Sequence, residues 1–204
     1  VLVCGFPRMD KVLRDQQPSR SATLQLLDIP LDARMVLYTS SPSLDTHLQS
    51  VIEGMKNGPR QDNLYWVIKM HPSQKTRGRW KRAVEDAGLR RARVIKGEID
   101  FCALLTACDV HVSFVSTTFI ESALLGKPNV GLELTYYPDP TGLLEAGAYE
   151  PVQLEMIGET VHNVLSEPGV KASLVQQQSL FAKDWCKFDG RSVDRIVRVV
   201  ERLA

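Results

Sequence analysis

The feature that most constrains the fold is a regular alternation of short apolar runs with amphipathic stretches along the chain. The runs, rich in β-branched and aromatic residues, predict strands at 35–38, 65–68, 93–95, 110–115 and 129–132. The stretches, with apolar residues at helical spacing, predict helices at 44–55, 78–87, 101–107 and 117–125. Ser43 or Asp45 is the expected cap of the first of these helices. Such alternation is typical of a mostly parallel sheet with right-handed crossovers and helices on both faces.

The two ends of the chain depart from this alternation. The last third predicts helices alone, at 156–165, 172–182 and 193–203, and the irregular stretch 136–142 is the expected mobile rim. Residues 1–5, reading VLVCG, have the composition of a buried strand. We therefore expect a fragment, with an interdomain segment or first strand at 1–10 and a single domain at 11–204. The sequence predicts an α/β, Rossmann-like doubly wound domain of about six parallel strands, with the C-terminal helices packing last.

Composition narrows the classes of function. The formal net charge of +1 gives no reason to expect nucleic acid or an anionic membrane as a partner. No apolar run approaches the ~20 residues of a membrane-spanning helix. The four cysteines, Cys4, Cys102, Cys108 and Cys186, form no C-x-x-C pair and have no histidine cluster beside them. That spacing predicts reduced, structural thiols and no metal site.

The loop after the strand at 110–115 is the first candidate site, because ligands of open parallel sheets bind outside the carboxyl ends of the strands. Ser116, Thr117 and Thr118 begin a helix there, and their hydroxyls and backbone N–H groups suit a phosphate. Ser116 or Thr117 could instead simply cap the helix. Glu121 follows one turn later, where it could accept hydrogen bonds from a ribose diol or complete a capping box.

Two further loops follow predicted strands and carry polar residues. In the segment 69–72, reading KMHP, His71 could donate to a phosphate or leaving-group oxygen, whereas Lys69 flanks the strand end. Thr39 and Ser40 begin the loop TSSP, which is either a close approach for a ligand or an ordinary polar turn. The other histidines, interpreted as structural, are His47, His111 and His162.

Five segments of the chain, in order, resemble the carboxyl-terminal domain of GT-B transferases that build bacterial surface polymers. The likeness is to CDP-glycerol glycerophosphotransferases, to capsule-polysaccharide transferases that use CMP-activated sugars, and to bacterial sialyltransferases. The segments are 5–10 as G-x-P-R-x-D, 37–41 as the opening strand and loop, 69–72 as K-x-H-P, 109–128 as the strand, hydroxyl loop and helix ending in G-K-P, and 189–196 as the D-G-x-x-x-x-R-I start of the final helix.

The resemblance implies that the chain is the donor-nucleotide-binding half of a two-domain enzyme, which is one half of a GT-B fold. In the relatives the histidine of H-P and the hydroxyl loop contact the donor phosphates. Glu121 matches an acidic position that meets the donor ribose or sugar, so His71 and Glu121 are the implied catalytic residues. The implied donor-binding residues are Thr39, Ser40, Lys69, His71, Ser116, Thr117, Thr118 and Glu121. Arg8 and Asp10 fall in the segment that joins the two domains in the relatives.

The implied activity is group transfer from a CMP-, CDP- or UDP-linked donor to a glycan or polymer acceptor, without a metal or other cofactor. The other half of the protein would bind the acceptor, so we expect the fragment alone to be inactive. A protein of this kind would be cytoplasmic, or held at the inner face of the membrane.

Two alternatives stay open. UDP-N-acetylglucosamine 2-epimerases share the fold and carry S-G-G-x-x-E-E, where this chain has Thr117 and Thr118 for the glycines and Ser122 for the second glutamate. A degenerate transferase-like domain that binds a partner predicts a pocket blocked by side chains near Ser116. CDP-glycerol enzymes usually have D-Y-S-S where residues 113–117 read SFVST, a departure that counts against a glycerol-phosphate donor.

Overall fold

The computed structural model describes residues 3–14, 18–59, 62–75, 77–114, 116–134, 142–185 and 187–203. Its strands are β1 (Arg34–Thr39), β2 (Leu64–Lys69), β3 (Ala92–Ile95), β4 (Val110–Ser113), β5 (Asn129–Glu133) and β6 (Glu150–Gln153). Its helices are α1 (Pro7–Arg14), α2 (Arg20–Leu26), α3 (Leu48–Lys56), α4 (Arg77–Asp86), α5 (Phe101–Ala107), α6 (Thr118–Leu124), α7 (Ile157–Ser166), α8 (Pro168–Trp185) and α9 (Ser192–Leu203). Two 3₁₀ turns lie at Pro42–His47 and Leu154–Met156.

The six described strands form one parallel sheet in the order β3-β2-β1-β4-β5-β6. Val36 of β1 is paired with Trp66 of β2 on one side and with Val110 of β4 on the other. The chain therefore builds outward from β1 to β3 and then returns to the opposite side of β1. This switch in strand order leaves a crevice at the carboxyl ends of β1 and β4. The prediction of a doubly wound parallel α/β fold is confirmed.

The side chains of β1 show why helices cover both faces of the sheet. Val36 and Tyr38 point into the core beneath α3, α4 and α7, whereas Met35 and Leu37 point into the core beneath α2 and α5. All four are fully buried. A strand that is apolar on both sides must be covered on both sides, because successive side chains of a strand point to opposite faces.

The strand predicted at residues 1–5 is not formed in its described part, and residues 1 and 2 lie outside the described residues. Residues 3–6 belong to no strand, Val3 is 53% exposed, and Pro7 begins helix α1. Gly5 has a φ of +96°, a conformation that takes the chain out of an extended run. The sixth strand is β6, which the sequence did not reveal because Val152 is the only buried residue of its four.

Local details of the helices also differ from the sequence prediction. The stretch predicted as a helix from residue 44, with a cap at Ser43 or Asp45, begins two residues earlier as the 3₁₀ turn and becomes α-helical at Leu48. Its cap is Ser41, whose Oγ accepts from Ser43 N at 3.3 Å. Helices α1 and α2 were not predicted. Residues 135–141, which hold most of the expected rim, and Cys186 lie outside the described residues.

Three cysteines lie in the described part of the chain, and none forms a disulfide there. Cys102 and Cys108 are buried, and burial raises the pKa of the Cys108 thiol to about 12. Among the described helices, none combines the length and apolar character needed to cross a membrane.

Candidate functional site

A cavity of about 490 Å³ lies at the carboxyl ends of β1, β2 and β4, where the strand order switches. Seven hydroxyl side chains line it: Thr39, Ser40, Ser41, Ser113, Ser116, Thr117 and Thr118. Arg8 and Lys69 add two cations, His71 adds an imidazole, and no carboxylate is among the described lining residues. The structure thus brings the three loops singled out in the sequence to one cavity, which is open beside Ser116.

The loops after β1 and β2 are joined by Gln74, a residue that the sequence analysis missed. Gln74 is buried, and its Oε1 accepts from Ser40 Oγ and, at 2.9 Å, from the backbone N–H of His71. Its Nε2 donates to Asp45 Oδ1. One buried amide therefore sets the position of both loops. The sequence gives no local signal for it, because its partners Ser40 and Asp45 lie about thirty residues earlier in the chain.

His71 is exposed on the cavity rim, and its ring orientation is set by the next turn of chain. The backbone N–H of Ser73 donates to His71 Nδ1 at 3.2 Å, and Ser73 Oγ lies 2.7 Å from the same nitrogen. Because Nδ1 accepts a hydrogen bond, a neutral ring carries its proton on Nε2. His71 can therefore donate from Nε2 to an acceptor in the cavity.

Lys69, which was expected to flank the end of its strand, lines the cavity. Its ammonium donates to the carbonyl oxygens of Lys96 and, at 3.2 Å, Met70. Partial burial lowers the pKa of Lys69, an effect that Glu98 opposes. An ammonium has three donors, so one remains for a ligand after the two carbonyl contacts.

The loop after β4 is organised around Ser116. Thr118 donates to Ser116 Oγ from its backbone N–H at 3.2 Å and from its hydroxyl at 2.9 Å. Thr117 occupies the cap position of α6 without a side-chain cap hydrogen bond. Ser116 thus accepts twice, and its own hydroxyl hydrogen donates to no other described residue.

Glu121 lies beneath the cavity rather than in its lining, and Arg8 stands between the two. Glu121 Oε1 pairs with Arg8 Nη1 at 3.2 Å, and its Oε2 is buried with no partner among the described residues. Burial raises the pKa of Glu121, and Arg8 partly offsets the rise. The capping-box alternative is wrong, because Thr118 N bonds to Ser116 and not to Glu121.

Arg8 and Asp10, both assigned to an interdomain segment, have different surroundings. The Arg8 guanidinium lies 4.9 Å from the centroid of the Phe101 ring and borders the cavity. Asp10 is buried away from the cavity and accepts from the backbone N–H and the hydroxyl of Ser192, both at 2.8 Å. Asp10 therefore caps helix α9.

A buried polar cluster lies directly beneath the hydroxyl lining. His111 of β4 is fully buried, with Nε2 at 2.9 Å from Thr39 Oγ1 and 3.4 Å from Thr118 Oγ1. Its Nδ1 lies 2.9 Å from Asn129 Oδ1 of β5, and burial lowers the pKa of the ring to about 4. His111 was interpreted from the sequence as structural, and its partners Thr39, Thr118 and Asn129 were not predicted. The period of the strand was the available signal, since it puts His111 and Ser113 on one face opposite Val110 and Val112.

A larger cavity of about 930 Å³ lies along α4 and the edge strand β3. Its charged lining is mixed, and Arg77 and Glu98 form an ion pair within it. None of the sequence-predicted site residues lines this cavity. In the described part of the chain, no group of three or more His, Cys, Asp or Glu side chains could hold a metal ion.

Comparisons with known proteins give a likeness of fold. No protein-family model matches the chain, and no curated protein matches it in sequence. Among solved structures, a protein described as a UDP-N-acetylglucosamine 2-epimerase from Listeria monocytogenes matches with a TM-score of 0.68 and 17% identity, over 95% of this chain and 50% of that one. A glycosyltransferase from Rickettsia africae matches with a TM-score of 0.69 and 14% identity, over 99% and 55%.

The wall teichoic acid polymerase TagF, in a structure soaked with CDPG, matches with a TM-score of 0.63 and 16% identity, over 98% of this chain and 49% of that one. The chain therefore spans about half the length of the solved structures it resembles. It has the architecture of one half of the GT-B fold, a domain that resembles nucleotide-sugar-using glycosyltransferases and epimerases.

Proposed function

We propose that the chain binds the nucleotide-activated donor of a GT-B transferase, a glycosyltransferase or polyol-phosphate transferase of bacterial surface polysaccharide biosynthesis. One observation carries the proposal. The loops after β1, β2 and β4 line a single cavity at the switch in strand order, with seven hydroxyls, two cations and no carboxylate among the described lining residues. A nucleoside phosphate is the ligand class that this chemistry suits, because every strong group there donates hydrogen bonds or carries positive charge.

The charge and size of the cavity fit a nucleoside diphosphate. Arg8 and Lys69 supply full positive charges, and Ser116 and His71 each have a donor that no described residue uses. The volume of about 490 Å³ lies in the range of small-ligand sites, roughly 300 to 1,000 Å³. A degenerate domain was expected to have its pocket blocked by side chains near Ser116, whereas Ser116 lines the cavity.

The proposed donor is linked to CMP, CDP or UDP. Two resemblances support this class: the epimerase from Listeria monocytogenes is described as acting on a UDP-sugar, and the TagF structure was soaked with CDPG. In the proposal the acceptor, a glycan or polymer, binds to a part of the protein that lies outside this chain. No metal is required, and the whole protein would act in the cytoplasm or at the inner face of the membrane.

Transfer of the group releases a nucleoside phosphate, on whose oxygens negative charge grows in the transition state. Lys69, the Ser116 hydroxyl and His71 Nε2 would donate to those oxygens more strongly as that charge grows. Glu121, the residue implied to meet the donor ribose, would act from beneath the cavity by holding the Arg8 guanidinium at its border through their ion pair. A general base for the acceptor would come from the other half, so this chain alone should bind the donor without turning it over.

An epimerase is the second candidate, favoured by the match to the protein from Listeria monocytogenes. Ser122 argues against it, because it stands where the epimerase segment has its second glutamate. Ser122 is fully buried and its hydroxyl donates to Lys127 O at 3.4 Å. Assay of the full-length protein with UDP-sugars separates the two, since an epimerase alters the sugar without any acceptor.

Titration of the ¹⁵N-labelled chain with CMP, CDP, UDP and inorganic pyrophosphate tests the proposal. We expect amide shifts at Ser40, His71, Ser116 and Thr117 with at least one nucleotide. Lys69→Gln should weaken binding about tenfold by removing a charge-assisted hydrogen bond to phosphate.

Lys81→Gln is the matched control, because Lys81 lines the larger cavity along α4. It should leave the affinity unchanged. Shifts centred on Leu89 and Arg93 of that larger cavity, or no response to any of the four probes, would contradict the proposal.

A further inference from the structure

His111 lies beneath the candidate site and is absent from its lining. Any role of His111 in binding an anion at that site rests on the proposed function. His111 is on β4, next to β1 on one side and β5 on the other, and α6 covers it. A fully buried imidazole must satisfy both of its ring nitrogens, or each unsatisfied one destabilises the fold.

Asn129 fixes which ring nitrogen carries the proton. Asn129 Nδ2 donates to two backbone carbonyls, Phe119 O at 2.9 Å and Ala148 O at 3.0 Å. With both amide hydrogens used, the atom facing His111 Nδ1 at 2.9 Å is the carbonyl oxygen of Asn129. A carbonyl oxygen only accepts, so His111 Nδ1 carries the hydrogen and Nε2 is left as an acceptor.

The Asn129 backbone is itself held, so this assignment does not depend on a mobile group. Gln178 of α8 accepts from Asn129 N at 2.9 Å and donates to Asn129 O at 3.2 Å. Both side chains are buried. The Phe119 ring packs against the His111 ring at 5.5 Å between centroids. The ring is therefore restrained on its Nδ1 side by α8, β5 and α6 together.

On its Nε2 side the ring contacts the end of β1 and the start of α6, and both of these border the cavity. Nε2 is 2.9 Å from Thr39 Oγ1, at the end of β1, and 3.4 Å from Thr118 Oγ1, at the start of α6. Thr39 Oγ1 also lies 2.8 Å from Ser113 Oγ, whose own hydrogen goes to Thr39 O at 3.2 Å, so the one Thr39 hydroxyl hydrogen is shared between Ser113 Oγ and Nε2. The Thr118 hydrogen then remains for Ser116 Oγ, and the Ser116 hydrogen remains for a ligand.

We propose that His111 is a positioning residue for anion binding. As a fixed acceptor between Thr39 and Thr118, it holds the end of β1 and the start of α6 in register. In that register Thr118 directs the Ser116 hydroxyl toward the cavity. His111 touches neither the substrate nor the reacting atoms in this role.

Two variants separate positioning from mere packing. In His111→Gln the side-chain carbonyl can accept from Thr39 where Nε2 does, whereas His111→Asn retains a donor toward Asn129 and presents no acceptor to Thr39. We expect pyrophosphate and UDP to bind the Gln variant within about twofold of the wild type, and the Asn variant about tenfold more weakly. Amide shifts at Thr117 and Thr118 should change in the Asn variant only.

Affinities are measured well below each variant's unfolding midpoint, so that loss of folded protein does not imitate loss of binding. Equal weakening in both variants, in proportion to their loss of stability, overturns the proposal. The ring ¹⁵N spectrum of the wild type is the independent readout. A proton on Nδ1 supports the proposal and a proton on Nε2 overturns it. If the wild type binds no anion, the proposed function fails. The spectrum then still decides which ring nitrogen of His111 carries the proton.

Discussion

At the residue scale, the candidate site separates residues that face a ligand from residues that hold them. The cavity is lined by Lys69, His71 and Ser116, each of which has a hydrogen-bond donor that no described residue uses. Behind them lie Gln74 and His111, which are buried and have all their polar side-chain atoms hydrogen-bonded. A side chain that must hold another in place works best when it is itself immobile, and burial with complete hydrogen bonding provides that.

Burial of His111 predicts a specific dependence of stability on pH. The ring has an ordinary pKa of 6.5, which burial lowers to about 4 in the folded chain. Between those values the unfolded chain binds a proton that the folded chain does not, so stability is lost as the pH falls through this window. From about pH 7.5 to about pH 4.5 this residue should remove about 2 to 3 kcal/mol from the free energy of unfolding.

Urea denaturation of the wild type and of His111→Gln across that range measures the effect. The difference between the two curves removes the titration of every shared group. The wild type should lose more stability on acidification than the variant. Parallel curves would mean that the ring titrates in the folded chain as it does in the unfolded one.

At the element scale, α3 approaches the 3₁₀ turn at Leu154–Met156 and the start of α7 so closely that only glycine fits at the contacts. A Cβ on Gly54 of α3 would lie 1.8 Å from Leu154 O, and one on Gly158 of α7 would lie 1.7 Å from Asn57 O. Both contacts are with backbone atoms, which cannot rotate away. Through this close approach, β6 and the helices α7 and α8 pack against the core beneath α3.

Gly54→Ala should therefore destabilise the domain even though alanine is the better helix former. We expect a loss of about 1 to 3 kcal/mol from the steric clash, measured by urea denaturation. Gly78→Ala in α4 is the control, because nothing lies within 4 Å of a Cβ there. The control should be neutral or up to about 1 kcal/mol more stable. A similar response of both variants would contradict the close approach.

At the scale of the whole molecule, the two ends of the described chain form one cluster. Asp10 of α1 caps α9, and Arg195 of α9 donates to Cys4 O at 2.8 Å while forming two hydrogen bonds to Asp189. A Cβ on Gly5 would lie 2.4 Å from Ser192 Oγ. The first and last segments of the resemblance to GT-B transferases are thus in contact, although about 180 residues separate them.

Asp10→Ala should release α9 from this cluster. It removes three acceptor contacts, from Ser192 N, Ser192 Oγ and Val193 N, and should lower the free energy of unfolding by about 1 to 3 kcal/mol. Hydrogen exchange should become faster in α9 before it does in the sheet. Asp194→Ala is the control: Asp194 is exposed, with loose pairs to Arg14 and Arg191, and should change stability by less than about 0.5 kcal/mol. Unchanged exchange in α9 of the Asp10 variant would argue against the cap.

The sequence by itself determined the class of fold and the loops that meet at the candidate site. Strand and helix periods are local properties, and the runs that became β1 and β2 are largely continuous apolar stretches, so their identity follows from neighbouring residues. Because parallel strands end at one edge, Ser40, His71 and Ser116 could be expected near one another. The roles proposed for these residues remain predictions.

Only the tertiary structure decided how distant segments meet. It revealed β6 as the sixth described strand, which the sequence did not predict because a strand with one buried side chain has no period to read. It paired Glu121 with Arg8, and it set His111 between Thr39 and Thr118. These contacts join residues whose local sequence would suit many surroundings. Their partners are fixed by the strand order and by the packing of α6 and α8 over the sheet, and neither is written in any single segment of the chain.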